Sequence, residues 1–288
     1  MSIVIENLSF TYGKKGPYEK KALSNVSLTI NDGECVGIVG STGSGKSTLV
    51  QHLNGLVRIQ EGKIAVDDID LSVKKPNLQA LRKKIGMLFQ YPEYQLFAET
   101  VLQDVCFGPT NFGMSKEEAK ESAKEAIEMV GLDFEEIKER SPIELSGGQK
   151  RRVAIAGVLA YKPSILILDE PTAGLDPIGK KEMLDLISAL RKNGTVKTVI
   201  MVSHNMDEIA EYADRVIALH NGVLLCDKTP EDFFYDEDVK SFNLDYPHAV
   251  KITKALLSRG VDIGSRPLTK DALLSGLIRF FETKRGAE

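Results

Sequence analysis

A run of nine residues, GSTGSGKST, has the residue types and the spacing that hold phosphate groups. It fits the pattern G-x-x-x-x-G-K-[ST], and it lies between an apolar run and a helical one, as this pattern requires. The glycines let backbone N–H groups surround phosphate oxygens, Lys46 brings positive charge to the β- and γ-phosphates, and Ser47 offers a hydroxyl to Mg²⁺. The predicted nucleotide-binding residues are Gly40, Ser41, Thr42, Gly43, Ser44, Gly45, Lys46, Ser47 and Thr48. Taken alone, the motif leaves a small-molecule kinase or a GTPase open.

Two carboxylates, Asp169 and Glu170, end the apolar run ILILDE. An apolar strand that ends in two acids would bury their charge unless a cation meets them there, and Mg²⁺ is the natural partner. We assign Asp169 to the metal, directly or through water, and Glu170 to the attacking water as general base. An acidic strand end that faces solvent is the alternative.

Gln90 and His204 end two further apolar runs, IGMLFQ and TVIMVSH. Active sites of open α/β sheets gather at the carboxyl ends of the strands, so both side chains are expected at the same place as Asp169. His204 is expected to bond the γ-phosphate or to orient the water. Gln90 is expected to contact the γ-phosphate and the metal, and it leads directly into a helical segment, so it is a candidate relay.

The segment LSGGQ, Leu145, Ser146, Gly147, Gly148 and Gln149, precedes a basic and then apolar stretch. Such a start to a helix can bind an anion through its backbone N–H groups. It contains no lysine and no carboxylate for a metal, so it cannot complete a phosphate site alone. A glycine-rich helix start capped by Ser146 is the alternative.

The elements that must position these residues form an α/β pattern. SIVIENLSFTY, KALSNVSLTI and GKIAVDDIDL read as a small antiparallel layer. Short solid apolar runs, typical of a parallel sheet covered on both faces, are ECVGIVG, IGMLFQ, SILILDE, TVIMVSH and DRVIALH. Amphipathic helical patterns separate them, and residues from about 91 to 141 have helices without a convincing strand. We read residues 1–222 as one domain with this helical insertion, and 223–288 as a C-terminal helical extension.

Composition excludes several other classes. The 288 residues carry a net charge of −4, so there is no global bias toward nucleic acid. No run of eighteen apolar residues occurs, the start does not resemble a secretory leader, and the three cysteines lie far apart. We therefore expect reduced thiols in a cytosolic protein that does not span a membrane.

With these residues in hand, the chain resembles the ATP-binding cassette (ABC) ATPases. The phosphate motif, Gln90, LSGGQ, ILILDE, the D-loop AGLD ending at Asp176, and His204 occur in that family's order. The resemblance implies a P-loop NTPase fold of ABC type, with ATP and Mg²⁺ as cofactors and Ser47, Gln90 and Asp169 around the metal. It also implies that Tyr12 of FTYG stacks on adenine, with Phe10 in the core.

The resemblance gives LSGGQ its purpose. In this family two chains meet head to tail, and each ATP lies between one chain's phosphate motif and the other chain's LSGGQ. Such an arrangement is closed and two-fold.

The segment after Gln90 is similar to that of the ATPase subunits of energy-coupling factor importers, which take up vitamins and transition-metal ions such as cobalt or nickel. Residues 89–97 and 100–109 fit their pattern, and Gln95 would help to form a groove for a helix of a transmembrane coupling subunit. The C-terminal extension resembles the one that holds two such ATPases together.

This resemblance implies a peripheral protein on the cytoplasmic face of the cell membrane. Its partners would be a second ABC ATPase, a transmembrane coupling subunit and a substrate-binding membrane subunit, with no nucleic acid. The segment YPEYQLF resembles the second of the two paralogous ATPases of these importers more than the first. We therefore expect a heterodimer, with a homodimer as the alternative. A soluble ABC ATPase that acts on nucleic acid or on a protein complex is the alternative function, and a monomeric P-loop kinase is a third.

Overall fold

The computed structural model describes residues 2–14 and 16–285, and these form two β-sheets with helices around them. The first sheet is antiparallel, in the order β2-β1-β4-β5. Its strands are β1 (Ser2–Tyr12), β2 (Lys20–Asn31), β4 (Glu61–Val66) and β5 (Ile69–Asp70). Its apolar residues alternate with polar ones along β1 and β2, which confirms the predicted antiparallel layer.

The second sheet has the order β10-β9-β3-β8-β7-β6. Its strands are β3 (Cys35–Val39), β6 (Ile85–Leu88), β7 (Ile165–Asp169), β8 (Thr198–Val202), β9 (Arg215–His220) and β10 (Val223–Lys228). All pairs are parallel except β9 with β10. The five predicted apolar runs are its five parallel strands, and they are buried because both faces of the sheet are covered.

Strand β10 lies beyond the boundary that we placed after residue 222. Asn221 and Gly222 both have positive φ, 48° and 79°, and they form the two-residue connection from β9 to β10. An Asn-Gly pair suits such a hairpin turn because both of its central residues need positive φ. The sheet therefore continues into residues 223–228, which we had assigned to the helical extension.

The helices between the strands follow the expected alternation. Those before β7 are α1 (Lys46–Leu53), α2 (Leu78–Lys84), α3 (Val101–Asn111), α4 (Lys116–Met129), α5 (Phe134–Ile137) and α6 (Gly147–Leu159). After it come α7 (Pro177–Lys192), α8 (Met206–Tyr212), α9 (Pro230–Asp236), α10 (His248–Leu257) and α11 (Lys270–Arg285). Short 3₁₀ helices span Pro92–Gln95, Pro142–Glu144 and Val239–Phe242.

The core has two halves, one on each face of the parallel sheet. Val36 and Ile38 of β3 pack toward the antiparallel sheet and α1, whereas Cys35 and Val39 pack toward the helical side. On α4 a capping box of Ser115 and Glu118 starts the helix. The apolar stripe of that helix is buried: Ala119, Ala123, Ala126, Ile127 and Val130.

The C-terminal helices are attached to the core through aromatic side chains. Phe233 and Phe234 of α9 are fully buried in the helical-side core. Helices α10 and α11 share a small cluster of Ala249, Ile263 and Leu273. Leu277 and Phe280 of α11 pack against that cluster, whereas Phe281 is 59% exposed. A helix turns by about 100° per residue, so Phe281 lies on the next stripe of α11.

Candidate functional site

The loop between β3 and α1 carries the predicted phosphate-binding residues. Gly45 has a φ of 105°, and a Cβ there would lie 2.6 Å from the Ala22 carbonyl oxygen. A Cβ on Gly40 would lie 2.2 Å from the Leu219 carbonyl oxygen. Both positions therefore require glycine, because a side chain would collide with backbone. The loop is held tightly between β2 and the end of β9.

Lys46 is the first residue of α1, and its ammonium group is turned back over this loop. Its Nζ donates to the carbonyl oxygens of Gly40 at 2.8 Å and Ser41 at 3.1 Å. Burial lowers the pKa of Lys46, and the carboxylates of Glu170 and Asp169 partly oppose that shift. Among the described residues nothing hydrogen-bonds the buried Ser44 hydroxyl. The loop therefore presents a cation and an unpaired hydroxyl where a phosphate would lie.

Asp169 and Glu170 stand at the carboxyl end of β7, next to Lys46. The Ser47 hydroxyl donates a hydrogen bond to Asp169, which lowers the pKa of that carboxyl, but burial raises it by more. Burial also raises the pKa of Glu170 to about 7, and the negative charge of Asp169 adds to this effect. Glu170 is thus suited to proton transfer near neutral pH, since a general base works best when its pKa is close to the operating pH.

His204 follows β8 and faces Glu170. Its Nε2 lies 3.2 Å from Glu170 Oε1, and its backbone N–H donates to Glu170 Oε2 at 3.4 Å. Burial and the charge of Lys46 lower the pKa of His204, so the imidazole is neutral at pH 7. In the described part of the chain, Glu170 Oε1 accepts no hydrogen bond of good geometry, although it is buried.

Tyr12 ends β1 beside the phosphate loop. Its hydroxyl lies 3.2 Å from the Thr48 hydroxyl, and its ring is 41% exposed. The Phe10 ring, which is buried in the core as expected, packs edge-to-face against it with centroids 4.8 Å apart. Tyr12 is therefore held in place at one edge while part of the ring stays open to a planar ligand.

The LSGGQ segment begins α6 as the sequence indicated. Leu145 is buried, and Ser146 and Gln149 form a reciprocal capping box, with Ser146 Oγ accepting from Gln149 N at 3.3 Å. Within the described residues, a Cβ built on Gly147 or Gly148 would meet no atom within 4 Å. The tip of this helix is therefore exposed and open to another molecule. Asp176, in the same way, caps α7 by accepting from Gly179 N at 2.7 Å.

Gln90 is exposed two residues beyond β6, and in the described residues no hydrogen bond joins it to Asp169, Ser47 or His204. The next residue, Tyr91, has a φ of 56°, and its ring edge would lie 3.4 Å from a Cβ on Gly174 of the D-loop. The segment that begins at Gln90 therefore runs along the D-loop.

Arg151, on α6, is a residue that the sequence analysis missed. It is 2% exposed, and its guanidinium donates to both carboxylate oxygens of Glu93 at 3.0 and 3.3 Å. It also donates to the Ala173 carbonyl oxygen at 3.0 Å. One side chain thus joins the segment after Gln90, the LSGGQ helix and the D-loop. Nothing in the letters QKRR distinguishes this buried arginine from a solvated one.

The donors around Asp169 fit a magnesium ion that is shared with a nucleotide. In residues 2–14 and 16–285 no cluster of three or more His, Cys, Asp or Glu side chains could hold a metal by itself. Mg²⁺ usually takes one or two protein oxygens together with substrate phosphates and water. The adjacent hydroxyl of Ser47 and carboxylate of Asp169 are such a pair.

Comparison with known proteins agrees with this site. A family model described as ABC transporter matches residues 23–173. The energy-coupling factor transporter ATP-binding protein EcfA2 of Clostridium tetani is 46% identical over 99% of both chains. The structure of cbiO1 from Clostridium perfringens, part of the ABC transporter complex cbiONQ, superposes with a TM-score of 0.71 at 36% identity, over 88% of this chain and 98% of that one.

A third protein, the ATP-binding cassette MJ0796, was solved as a dimer in a post-hydrolysis state with ADP and Pi. It has a TM-score of 0.70 at 34% identity and covers 80% of this chain and 100% of its own.

The chain is therefore a member of the ABC transporter family, and its P-loop NTPase fold of ABC type confirms the predicted fold class. Within that family it belongs to the energy-coupling factor transporter ATP-binding proteins, and it is an ATPase. No helix among the described residues is long and apolar enough to span a bilayer.

Proposed function

We propose that this ATPase hydrolyses Mg-ATP held between its own phosphate loop and the LSGGQ helix of a second ATPase chain. We propose further that hydrolysis drives uptake of a vitamin or a transition-metal ion through separate membrane subunits. The observation that carries the first part is the exposed helix tip at Ser146, Gly147 and Gly148, with open space over both glycines. A second chain's γ-phosphate would be bound there by the N–H groups of α6.

Nucleotide binding is assigned to the residues around α1. Adenine stacks on the exposed part of Tyr12, and the loop from Gly40 to Thr48 surrounds the phosphates. Lys46 exchanges its two backbone carbonyl partners for phosphate oxygens. Ser47, Asp169 and Gln90 would hold Mg²⁺, which would stabilise the charge on the phosphates.

Catalysis is assigned to Glu170 and His204. Glu170 takes the proton of the attacking water, because its raised pKa suits a general base. His204 orients that carboxylate from 3.2 Å and reaches toward the γ-phosphate. Asp176 lies at the start of α7 in the D-loop, where it would face the partner chain.

An apolar groove beside α3 is the proposed binding site for the transmembrane coupling subunit. Phe97 and Phe107 are 66% and 52% exposed, and their rings pack edge-to-face with centroids 4.9 Å apart. The Asp104 carboxylate accepts hydrogen bonds from the backbone N–H groups of Phe97 and Ala98 and so fixes the backbone at one edge of the groove. The groove has a volume of about 310 Å³, and Gln95 also lines it. Exposed aromatic side chains in a groove suit an amphipathic helix of a partner.

We propose that the protein acts at the cytoplasmic face of the membrane, as a peripheral subunit. Its partners would be a paralogous ATPase, or a second copy of the chain, and two membrane subunits, one for coupling and one for substrate binding. That the cbiO1 structure belongs to a cbiONQ complex supports this proposal, and so does its relation to EcfA2 proteins.

The shared ATP site can be tested with two serine variants. In a Glu170→Gln background, which binds ATP without turnover, ATP should drive pairing of ATPase chains in size-exclusion chromatography with light scattering. Adding Ser146→Arg should abolish the pairing while the ATP affinity of the unpaired chain stays within twofold. Ser115→Arg, which removes the equivalent cap of α4, is the matched control and should pair normally. If Ser146→Arg instead weakened ATP binding by the single chain, the shared site would be wrong.

The groove can be tested by copurification with the transmembrane coupling subunit. Phe107→Asp should abolish copurification and leave the ATPase activity of the isolated chains intact. Leu225→Asp, at a 46% exposed apolar residue of β10, is the control and should copurify. If the Phe107→Asp variant still copurified with the membrane subunit, the proposed binding site would be wrong.

A further inference from the structure

Glu208, on α8, is a buried carboxylate to which no role in the site has been assigned above. It is 4% exposed. Its two oxygens accept hydrogen bonds from the Thr172 hydroxyl at 2.9 and 3.0 Å, from the Ser203 hydroxyl at 2.9 Å and from the Asn205 side-chain amide at 3.0 Å. A buried carboxylate is costly unless it is hydrogen-bonded, and this one is satisfied by three side chains.

The three donors belong to the loops that carry the proposed catalytic pair. Thr172 is two residues after Glu170, and Ser203 and Asn205 flank His204 on either side. The Ser203 hydroxyl also accepts the Asn205 N–H at 3.0 Å, which closes the turn around His204. Glu208 therefore joins the loop after β7 to the loop after β8, and its bonds fix how far apart Glu170 and His204 stand.

We propose that Glu208 is a positioning residue for ATP hydrolysis, which holds Glu170 and His204 in register through Thr172 and Ser203. The inference rests on the proposed roles of Glu170 and His204 in catalysis. It extends them to a residue that touches neither the nucleotide nor the water and acts through the two loops.

The first test uses Glu208→Gln, which keeps the shape and removes the charge. Turnover at saturating Mg-ATP should fall at least tenfold, while the KM for ATP and the affinity for a fluorescent nucleotide stay within twofold. Glu211→Gln, the same change at an exposed position of α8, is the control and should match the unsubstituted protein in all three measurements.

The second test keeps the inference falsifiable if Glu208→Gln folds poorly. Thr172→Val removes the hydroxyl without changing the shape, and Thr172→Ser keeps the hydroxyl. We expect Thr172→Val to lose at least fivefold in turnover without a change in the KM, and Thr172→Ser to stay within twofold of the original.

Two results would overturn the positioning role. They are normal turnover in Glu208→Gln, and equal losses in Thr172→Val and Thr172→Ser. Glu170→Gln, measured in parallel, separates this inference from the proposed function. If Glu170→Gln keeps its turnover, the catalytic assignment itself is wrong. If only Glu170→Gln loses turnover, the assignment stands and the role of Glu208 is wrong.

Discussion

At the scale of single residues, the protonation of Glu170 should set the pH dependence of turnover. Its folded-state pKa is raised to about 7 by burial, so the carboxylate form, which accepts the proton, is lost as the pH falls below that value. We expect turnover at saturating Mg-ATP to fall with decreasing pH below about 7 and to approach a tenfold loss per unit further down. A profile between about pH 6 and 9 checks this. A flat acid side down to about pH 6, in protein that remains folded, would remove Glu170 as the base.

Lys46 allows a second prediction at this scale. Its ammonium group lies over the phosphate loop and is 6% exposed, so a bound phosphate would meet it away from water. A hydrogen bond to a charged group contributes about 1.5–3 kcal/mol, so Lys46→Ala should weaken ATP binding roughly 10- to 150-fold. Titration with a fluorescent nucleotide measures this. Lys63→Ala, a change of the same type at an exposed residue of β4, should bind normally, and equal affinities of the two variants would contradict the assignment.

At the scale of elements, Arg151 and Glu93 join α6 to the segment after Gln90. Glu93→Gln leaves the guanidinium of Arg151 buried without its counter-charge, and we expect the free energy of unfolding to fall by about 2–4 kcal/mol. Each single variant leaves one charge of the pair without its partner, whereas Glu93→Gln combined with Arg151→Met removes both charges. The loss of unfolding free energy in the double variant should therefore be smaller than the sum of the two single losses. Urea unfolding of the four proteins measures the cycle. Additive losses would show that the pair does not couple these elements.

The same pair marks what the sequence could and could not predict. The residues of the site motifs could be predicted because their spacing in the sequence is fixed. The five parallel strands could be predicted because short, continuous apolar runs are typical of a sheet covered on both faces. Arg151 and Glu208 are buried charges, which a sequence pattern assigns to the surface, and only tertiary contacts reveal their partners. Strand β10 was not predicted, although Asn221 and Gly222 indicate a hairpin turn before it. Its apolar residues Val223 and Leu225 are exposed, so the strand lacks the buried apolar run of the other five. Among the described residues it pairs only with β9, at the edge of the sheet.

At the scale of the whole molecule, α11 leaves apolar surface uncovered. Leu274, Ile278 and Phe281 are 58%, 49% and 59% exposed, and they recur along one stripe of the helix, next to the stripe that packs on α10. Such an exposed apolar stripe indicates a protein interface. It supports the proposal that the C-terminal extension helps to hold two ATPase chains together.

Charge on this stripe should therefore weaken pairing without touching the ATP site. Burying two such side chains contributes about 3 kcal/mol, so Leu274→Asp with Ile278→Asp should raise the dissociation constant of the paired ATPases roughly a hundredfold. Ala272→Asp with Ser275→Asp adds the same charge to other exposed positions of α11 and should pair normally. Sedimentation of the Glu170→Gln protein with ATP compares the two pairs. Equal dissociation constants for the two double variants would contradict this role of the extension. The contacts between the two chains would then come only from the phosphate loops, the bound ATP and the LSGGQ helices.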